Sequence, residues 1–273
     1  MTSEPSALHD LAVVIPALNE GRTIRAVAQG ALAYCPRVIV VDDGSTDDTV
    51  DQLAGLPVTV LRHPHRLGKG AALRNGFAEA LRQGSTGVLT MDGDGQHAAT
   101  DLPRLAAAAR AHPDCIVIGA RLQRRAQQPW PRRLANEFGD WGIAWACGYR
   151  IADTQSGQRY YPAPVCRLTD IAGEDFVFEA QLLITAAREL GLGAVSVPIE
   201  SRYGGSGGQA FRPSHFRPWR DLYRITRHVV AQVLVHGGVI QAYRRCRAQA
   251  PRIHDPQPGR APAVPGLVTP SRR

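Results

Sequence analysis

The chain has 273 residues, 44% of them hydrophobic and 21% charged, a globular composition too apolar for intrinsic disorder. That length suits one large domain or two small ones, each with core enough to fold without disulfide or metal staples. The net charge of +8 is segregated: thirteen Arg face two Asp from Arg202 onward, a balance of +11 that leaves residues 1–201 at −3, and such segregation points to an anionic surface partner.

Short Val- and Ile-rich runs alternate with segments of helical period. LAVVIP (11–16), VIVV (38–41), VTVL (58–61), VLTM (88–91) and IVIG (116–119) read as buried strands, and helices are predicted over 23–32, 46–53, 70–81 and 102–111. This is the pattern of right-handed βαβ units and a mainly parallel sheet with helices on both faces. Beyond Arg121 come a basic connector, QRRAQQPWPRR, a helix through Trp145, a loop DTQSGQRYY (153–161), a helix over 176–190, a strand AVSVPI (194–199) and a Gly-rich YGGSGG. A long basic helix is expected over 217–247, so that an α/β domain of 1–210 is followed by a basic amphipathic segment, 211–250, and a disordered Pro-rich tail, 251–273.

The five cysteines are an odd number without a CxxC pair and read as reduced structural thiols. MTSEPSALHD has two acids and no basic start before an apolar stretch, unlike a signal peptide. The longest apolar run, 229–240, is interrupted by Gln232 and His236 and falls short of the roughly 20 residues a membrane span needs. A cytoplasmic protein, peripheral on the inner face of the membrane, is the resulting expectation.

Acidic clusters follow three strands, where a parallel sheet binds its ligands: Asn19 and Glu20 after the first, Asp42 and Asp43 after the second, Asp92 and Asp94 after the fourth. GKGAAL (68–73) lacks the third glycine of a GxGxxG dinucleotide fingerprint, Lys69 has neither the leading glycine nor the following Ser/Thr of a P-loop, and the segment from Asp92 lacks the glycine and the closing glutamate of an EF-hand. There remains a DxD, Asp92-Gly93-Asp94, with Gln96 two residues on. Two carboxylates at i and i+2 on one turn can address a hard cation, Mg²⁺ or Mn²⁺, that keeps positions open for phosphate oxygens. His97 is a candidate neighbour of that cation. Lys69 opens a helix, where backbone N–H groups and the macrodipole favour anions.

In order, IPALNE, VDDGSTDDT, GKGAALRNGF, MDGDGQH, DTQSGQR, FVFEAQLL and VPIESRYGG resemble the family 2 glycosyltransferases of GT-A fold, in the branch related to dolichyl-phosphate mannose synthase and of bacterial type. The resemblance covers about residues 11–205. It implies an inverting, metal-dependent transfer of a sugar from a nucleotide diphosphate sugar, UDP- or GDP-linked, to a membrane-associated acceptor such as a polyprenyl phosphate. Pro16, Ala17, Asn19, Glu20, Asp42 and Asp43 would then line the nucleotide pocket, with Lys69 and Arg202 serving the donor diphosphate. Asp92, Asp94 and Gln96 would hold the metal and that diphosphate. Arg121 and Arg133 match basic positions for an acceptor phosphate, with Ser156 and Arg159 of DTQSGQR bordering the acceptor. Asp94, Asp153 and Asp175 are the catalytic candidates. Asp175 follows Glu174 just before the FVFEAQLL helix, as an acceptor base or as a helix cap.

A lipid acceptor suits the basic segment, whose Phe216, Trp219, Leu222 and Tyr223 alternate with Arg217, Arg220 and Arg224 as in an interfacial helix. The alternatives are a hydroxyl acceptor, a nucleotidyltransferase, for which IPALNEGRT offers only Gly21 and Arg22 as a phosphate loop, and a non-catalytic nucleotide- or nucleic-acid-binding protein, which would have no use for Asp92 and Asp94. No aromatic RNA-binding signature is present, and no nucleic-acid partner is expected.

Overall fold

A computed structural model describes residues 8–122, 130–168, 171, 176–199, 227, 230 and 239–255. In chain order the elements are β1 (Leu11–Ala17), α1 (Ile24–Leu32), β2 (Val38–Asp42), β3 (Thr59–Arg62), α2 (Lys69–Arg82), β4 (Gly87–Thr90), α3 (Leu102–Ala111), β5 (Cys115–Ala120), α4 (Trp130–Cys147), β6 (Arg159–Pro162), the short α5 (Ala163–Cys166), α6 (Phe176–Glu189), β7 (Gly193–Pro198) and α7 (Val239–Ala248). The strands form one sheet in the order β3-β2-β1-β4-β6-β5-β7. All neighbours are parallel except at β6, which runs antiparallel to both β4 and β5.

The period-two pattern of β1 divides the core. Val14 faces a cluster that includes Phe77 of α2, Ile143 of α4 and Phe178 of α6, while Val13 and Ile15 face Val27 of α1 and Leu105 of α3. Helices therefore cover both faces, as a parallel sheet with near-continuous apolar strands requires. α1 shows the matching helical spacing, burying Ile24, Val27, Ala28 and Ala31 at i, i+3, i+4 and i+7.

α2 packs close to the sheet because Gly76 stands over Val14 and Val41, and a Cβ there would collide with Val14 Cγ1. Gly76→Ala is expected to lower unfolding stability by about 1–3 kcal/mol through overpacking, despite the better helix propensity of Ala. Urea denaturation with an unchanged m-value would check this; a gain in stability would contradict it.

Three expectations are corrected. The helix predicted over 46–53 is a series of turns with a single 3₁₀ turn at Asp51–Leu53. Asp47 ties this stretch down as a turn: its Oδ1 accepts the Thr49 N–H (3.0 Å) and hydroxyl, and its Oδ2 accepts the Gly21 N–H (3.2 Å) of the loop after β1, which holds the backbone in an Asx-type turn. The loop expected over 153–161 ends in β6, whose Tyr160 and Tyr161 enter opposite cores. The disordered tail expected from 251 begins too early. Ile253 bridges to Ser196 of β7, Ser196 N–H donates to Arg252 O (2.9 Å) and His254 N–H to Ser196 O (2.9 Å).

Most of the basic segment expected over 211–250 lies outside the described residues, as does the tail beyond 255. Its described end, α7, packs on α4: Ala242 and Cys246 are buried, and the Tyr243 ring stands 5.9 Å from those of Trp141 and Trp145. Among the described residues no helix is long and apolar enough to cross a membrane. All five cysteines are buried and unbridged, and burial raises their thiols, Cys147 to about 12, which makes them poor nucleophiles.

Candidate active site

The loops leaving β1, β2 and β4 and the loop entering β6 meet at the carboxyl end of the parallel strands. Pro16 and Ala17 end β1 beside Val41 and Asp42 of β2, and Asp43 N–H donates to Ala17 O (2.8 Å). Asn19 takes a left-handed φ of 57°, which Asn tolerates better than most residues. From there its N–H donates to Ser45 Oγ (2.8 Å) and its Oδ1 accepts the Thr46 N–H (2.9 Å). Glu20 N–H donates to Thr49 Oγ1 (2.8 Å), and the Thr23 hydroxyl donates to Gly93 O (2.7 Å). The acidic clusters after β1, β2 and β4 are thus one cradle.

Asp42 is fully buried, with Oδ1 accepting the Ser45 N–H (3.1 Å) and Oδ2 lying 3.3 Å from Arg62 Nε. Asp43 was expected to face the nucleotide beside it, but its carboxylate is engaged by the chain. It accepts the N–H groups of Leu67 (2.8 Å) and Gly68 (2.9 Å) and contacts His63 Nδ1 (2.8 Å), while His63 Nε2 meets Asn75 Nδ2 (2.9 Å). Those bonds hold residues 67–68 so that α2 begins with Lys69 directed across the rim.

Lys69 Nζ stands 2.8 Å from Asp92 Oδ1 and 3.2 Å from Glu179 Oε2. Burial opposes its charge, but the Asp92 and Glu179 carboxylates outweigh burial and hold the ammonium protonated well above its ordinary range. Burial likewise opposes ionisation of Asp92, and Lys69 together with His97, whose Nε2 is 3.5 Å from Asp92 Oδ2, holds that carboxyl far below the usual range. Asp94 goes the other way: burial and then the neighbouring Asp92 charge push its carboxyl up, although Oδ1 accepts the Gln96 N–H (2.9 Å). Two carboxylates in one turn with opposite shifts are a marker of a functional site. His97 is buried and its Nδ1 has no hydrogen-bond partner.

Four residues expected at or beside the acceptor, Asp153, Arg121, Arg159 and Ser156, are engaged by the protein itself. Asp153, a catalytic candidate, is 2% exposed and accepts four donors: Arg121 N–H (3.1 Å), Nε (2.8 Å) and Nη2 (3.0 Å), and Gln155 N–H (3.1 Å). This bidentate fork fastens the end of β5 to the 153–159 loop and places Arg121, expected on the acceptor phosphate, against Asp153. Arg159 is 1% exposed and donates Nε to Ser156 O (2.7 Å), Nη2 to Thr154 O (2.6 Å) and Nη1 to Tyr161 Oη (3.2 Å). Ser156 is fully buried beneath it. Gln96 is partly buried beside Asp94. Arg133 falls within α4, but its side chain is outside the described residues, as are Glu174, Asp175 and Arg202.

Glu179 was missed, and Gly157, expected in the loop bordering the acceptor, lies instead against Asp92. Glu179 was legible as the one acid in the apolar first turn of FVFEAQLL, where the helix buries its neighbours Phe178 and Ala180. Gly157 packs so closely on the Asp92 carboxylate that a Cβ would overlap it. The loop entering β6 therefore forms a wall of the Asp92 site, a contact that depends on sheet order and has no local sequence signal.

Residues 12–167 match Glycosyl transferase family 2. The chain is 32% identical over 201 residues to a polyprenol monophosphomannose synthase of Mycolicibacterium smegmatis, covering 68% of this chain and 75% of the relative. It is 31% identical over 198 residues to an undecaprenyl-phosphate mannosyltransferase of Micrococcus luteus, covering 68% and 81%. Among solved structures, glucosyl-3-phosphoglycerate synthase of Mycobacterium tuberculosis, in complex with Mn²⁺, UDP and glucosyl-3-phosphoglycerate, superposes with a TM-score of 0.58 at 26% identity, over 84% of this chain and 80% of that one. The cradle of Asp92 and Asp94 at the end of a mainly parallel sheet, and the agreement of these matches, place the chain in glycosyltransferase family 2, as a GT-A glycosyltransferase of the bacterial, dolichyl-phosphate-mannose-synthase-like branch.

Proposed function

We propose that the protein transfers a sugar, with inversion, from a nucleotide diphosphate sugar to a polyprenyl phosphate or another lipid acceptor at an anionic membrane surface. The observation that carries this reading is the Lys69–Asp92–Glu179 contact set beside Asp94, joined to the loops of β1 and β2. The activities named for the M. smegmatis and M. luteus relatives support the acceptor, and the run from Arg202 to Arg227, six Arg against one Asp, supports the membrane.

The residues present fit a divalent cation. Among the described residues no three acidic, His or Cys side chains converge as a preformed cage, but Mg²⁺-type sites use one or two carboxylates and complete their shell with substrate phosphates and water. The raised carboxyl of Asp94 and the orphaned His97 Nδ1 suit such a site. Asp92 and Asp94 would hold the ion, which when bound would offset the charge growing on the departing diphosphate. Pro16, Ala17, Asn19, Glu20 and Asp42 bound the nucleotide end of the cradle. Lys69 adds a fixed positive charge beside the diphosphate, and Glu179 keeps it aimed. A phosphate acceptor is already ionised at neutral pH, so attack on the anomeric carbon requires orientation more than a base.

Melting of the full chain with UDP, GDP, CMP and dTDP, with and without Mn²⁺, tests the reading. One nucleotide is expected to stabilise only when metal is present, by about 2.7 kcal/mol at a hundredfold excess over Kd, and its sugar conjugate should then be turned over with undecaprenyl phosphate. Silence from every nucleotide would refute a donor site. A responding nucleotide whose sugar moves only to hydroxyl acceptors would establish the second reading, which the Asp153-bound position of Arg121 favours.

A further inference from the structure

At the end of the sheet opposite the Asp92 rim opens a cavity of about 750 Å³. Its back is formed by the first residues of β5 and β7, Cys115 and Gly193, its walls by the C-terminal ends of α4, α6 and α7, and its lip by residues 249–252. Four arginines line it, Arg150, Arg188, Arg245 and Arg252, against a single acid, Asp114. Among the described residues none of the four is ion-paired. Burial raises the Cys246 and Cys115 thiols, and the positive charges of Arg150 and Arg252 beside them oppose that shift, while Arg188 Nε donates to Ala146 O (2.6 Å).

Arginine at a helix C-terminus commonly offsets the macrodipole, and Arg188 does so for α4. That role does not account for the set. The three helix ends contribute about half a negative charge each, which leaves the lining cationic after Asp114 is counted. Arg252 belongs to no helix. Its backbone pairs with Ser196, and its Nη1 lies 3.7 Å from where a Cβ on Gly193 would stand, over the back wall. The inner surface includes the small or apolar Cys115, Cys147, Leu192 and Ala194. An apolar back under a guanidinium rim, in a volume within the roughly 300–1,000 Å³ of small-ligand sites, suits an organic phosphate, because the guanidinium fork binds phosphate oxygens in pairs.

We propose that this cavity is a second binding site, for a small soluble organic phosphate, remote from the sugar-transfer site. The choice of a soluble ligand over a lipid headgroup rests on the proposed function, because a membrane-held acceptor must reach the Asp92 end of the sheet, opposite this cavity. The test is calorimetric titration of the full chain with inorganic pyrophosphate and with ribose 5-phosphate in EDTA, which silences a metal-dependent donor site. Saturable 1:1 binding is expected, weakened at least about tenfold in Arg245→Ala/Arg252→Ala, a change of about 1.4 kcal/mol, and retained in Asp94→Asn. Both arginines are exposed, so the double variant should melt like the wild type, and Arg245→Glu alone should repeat the loss. Absence of binding by either probe, or binding indifferent to the arginines, overturns the proposal. So does arginine-dependent pelleting with phosphatidylglycerol vesicles in the absence of soluble-phosphate binding, which would make this face a membrane contact. Loss of binding in Asp94→Asn would return the ligand to the transfer site, and failure of the donor reading alone would leave an EDTA-resistant, arginine-dependent site intact.

Discussion

Asp94→Asn is expected to lower kcat/KM with the cognate sugar nucleotide by about 10²–10³-fold, the size of effect seen when one preorganised electrostatic group is removed from a developing charge. Asn keeps the shape and can still accept the Gln96 N–H, so the loop should stay in place. What disappears is an anionic oxygen for the cation. The same variant should melt, in EDTA, at or slightly above the wild-type temperature, because burial and the Asp92 charge make ionised Asp94 costly in the native state. Metal-dependent stabilisation by the nucleotide should vanish. Lost activity with unchanged melting and lost metal dependence assigns Asp94 to the reaction, whereas activity within about threefold of wild type, less than 1 kcal/mol of transition-state stabilisation, would remove it from the metal site.

The order of strands and acidic loops was legible because each depends on a local signal: apolar runs of strand length, helical spacing between them, and carboxylates where a parallel sheet presents its ligands. The pairing of Arg121 with Asp153 was not legible in the same way. Both residues were read as functional from their place in motifs, yet their meeting depends on β6 entering the sheet antiparallel between β4 and β5. That insertion brings residues 153–159 beside the ends of β4 and β5 and turns expected acceptor contacts into structural ones. β6 itself was hidden because its four residues begin on a charge and end on a proline, RYYP. The helix expected over 46–53 gave way for a related reason: Asp47 is bonded across to Gly21 of the loop after β1, a contact with no local sequence signal. Charged residues carried the ambiguity throughout, since Asp and Arg serve equally as ligands, caps and clamps, and their neighbours in space decide which.

Arg159 shows how those roles separate by measurement. A contact to acceptor phosphate would make Arg159→Met raise the acceptor KM with little effect on folding. The structure demands the reverse. Beyond its bonds to Ser156 O, Thr154 O and Tyr161 Oη, Nη1 lies 3.4 Å from Glu179 O and Nη2 lies 4.0 Å from Glu179 Oε1. Met would leave those carbonyls and part of the Glu179 charge buried without a donor, and removal of one partner from such a buried network costs about 3–5 kcal/mol. Arg159→Lys should recover only part of this, because one ammonium cannot reproduce the planar fork. Catalysis should fall with stability, since the same loop carries Gly157 against Asp92, and Glu179 would be left to draw on Lys69 alone. Urea unfolding of wild type, Arg159→Lys and Arg159→Met should therefore give that order of decreasing midpoint at constant m-value. A midpoint for Arg159→Met equal to wild type, together with a selectively raised acceptor KM, would restore Arg159 to the acceptor site.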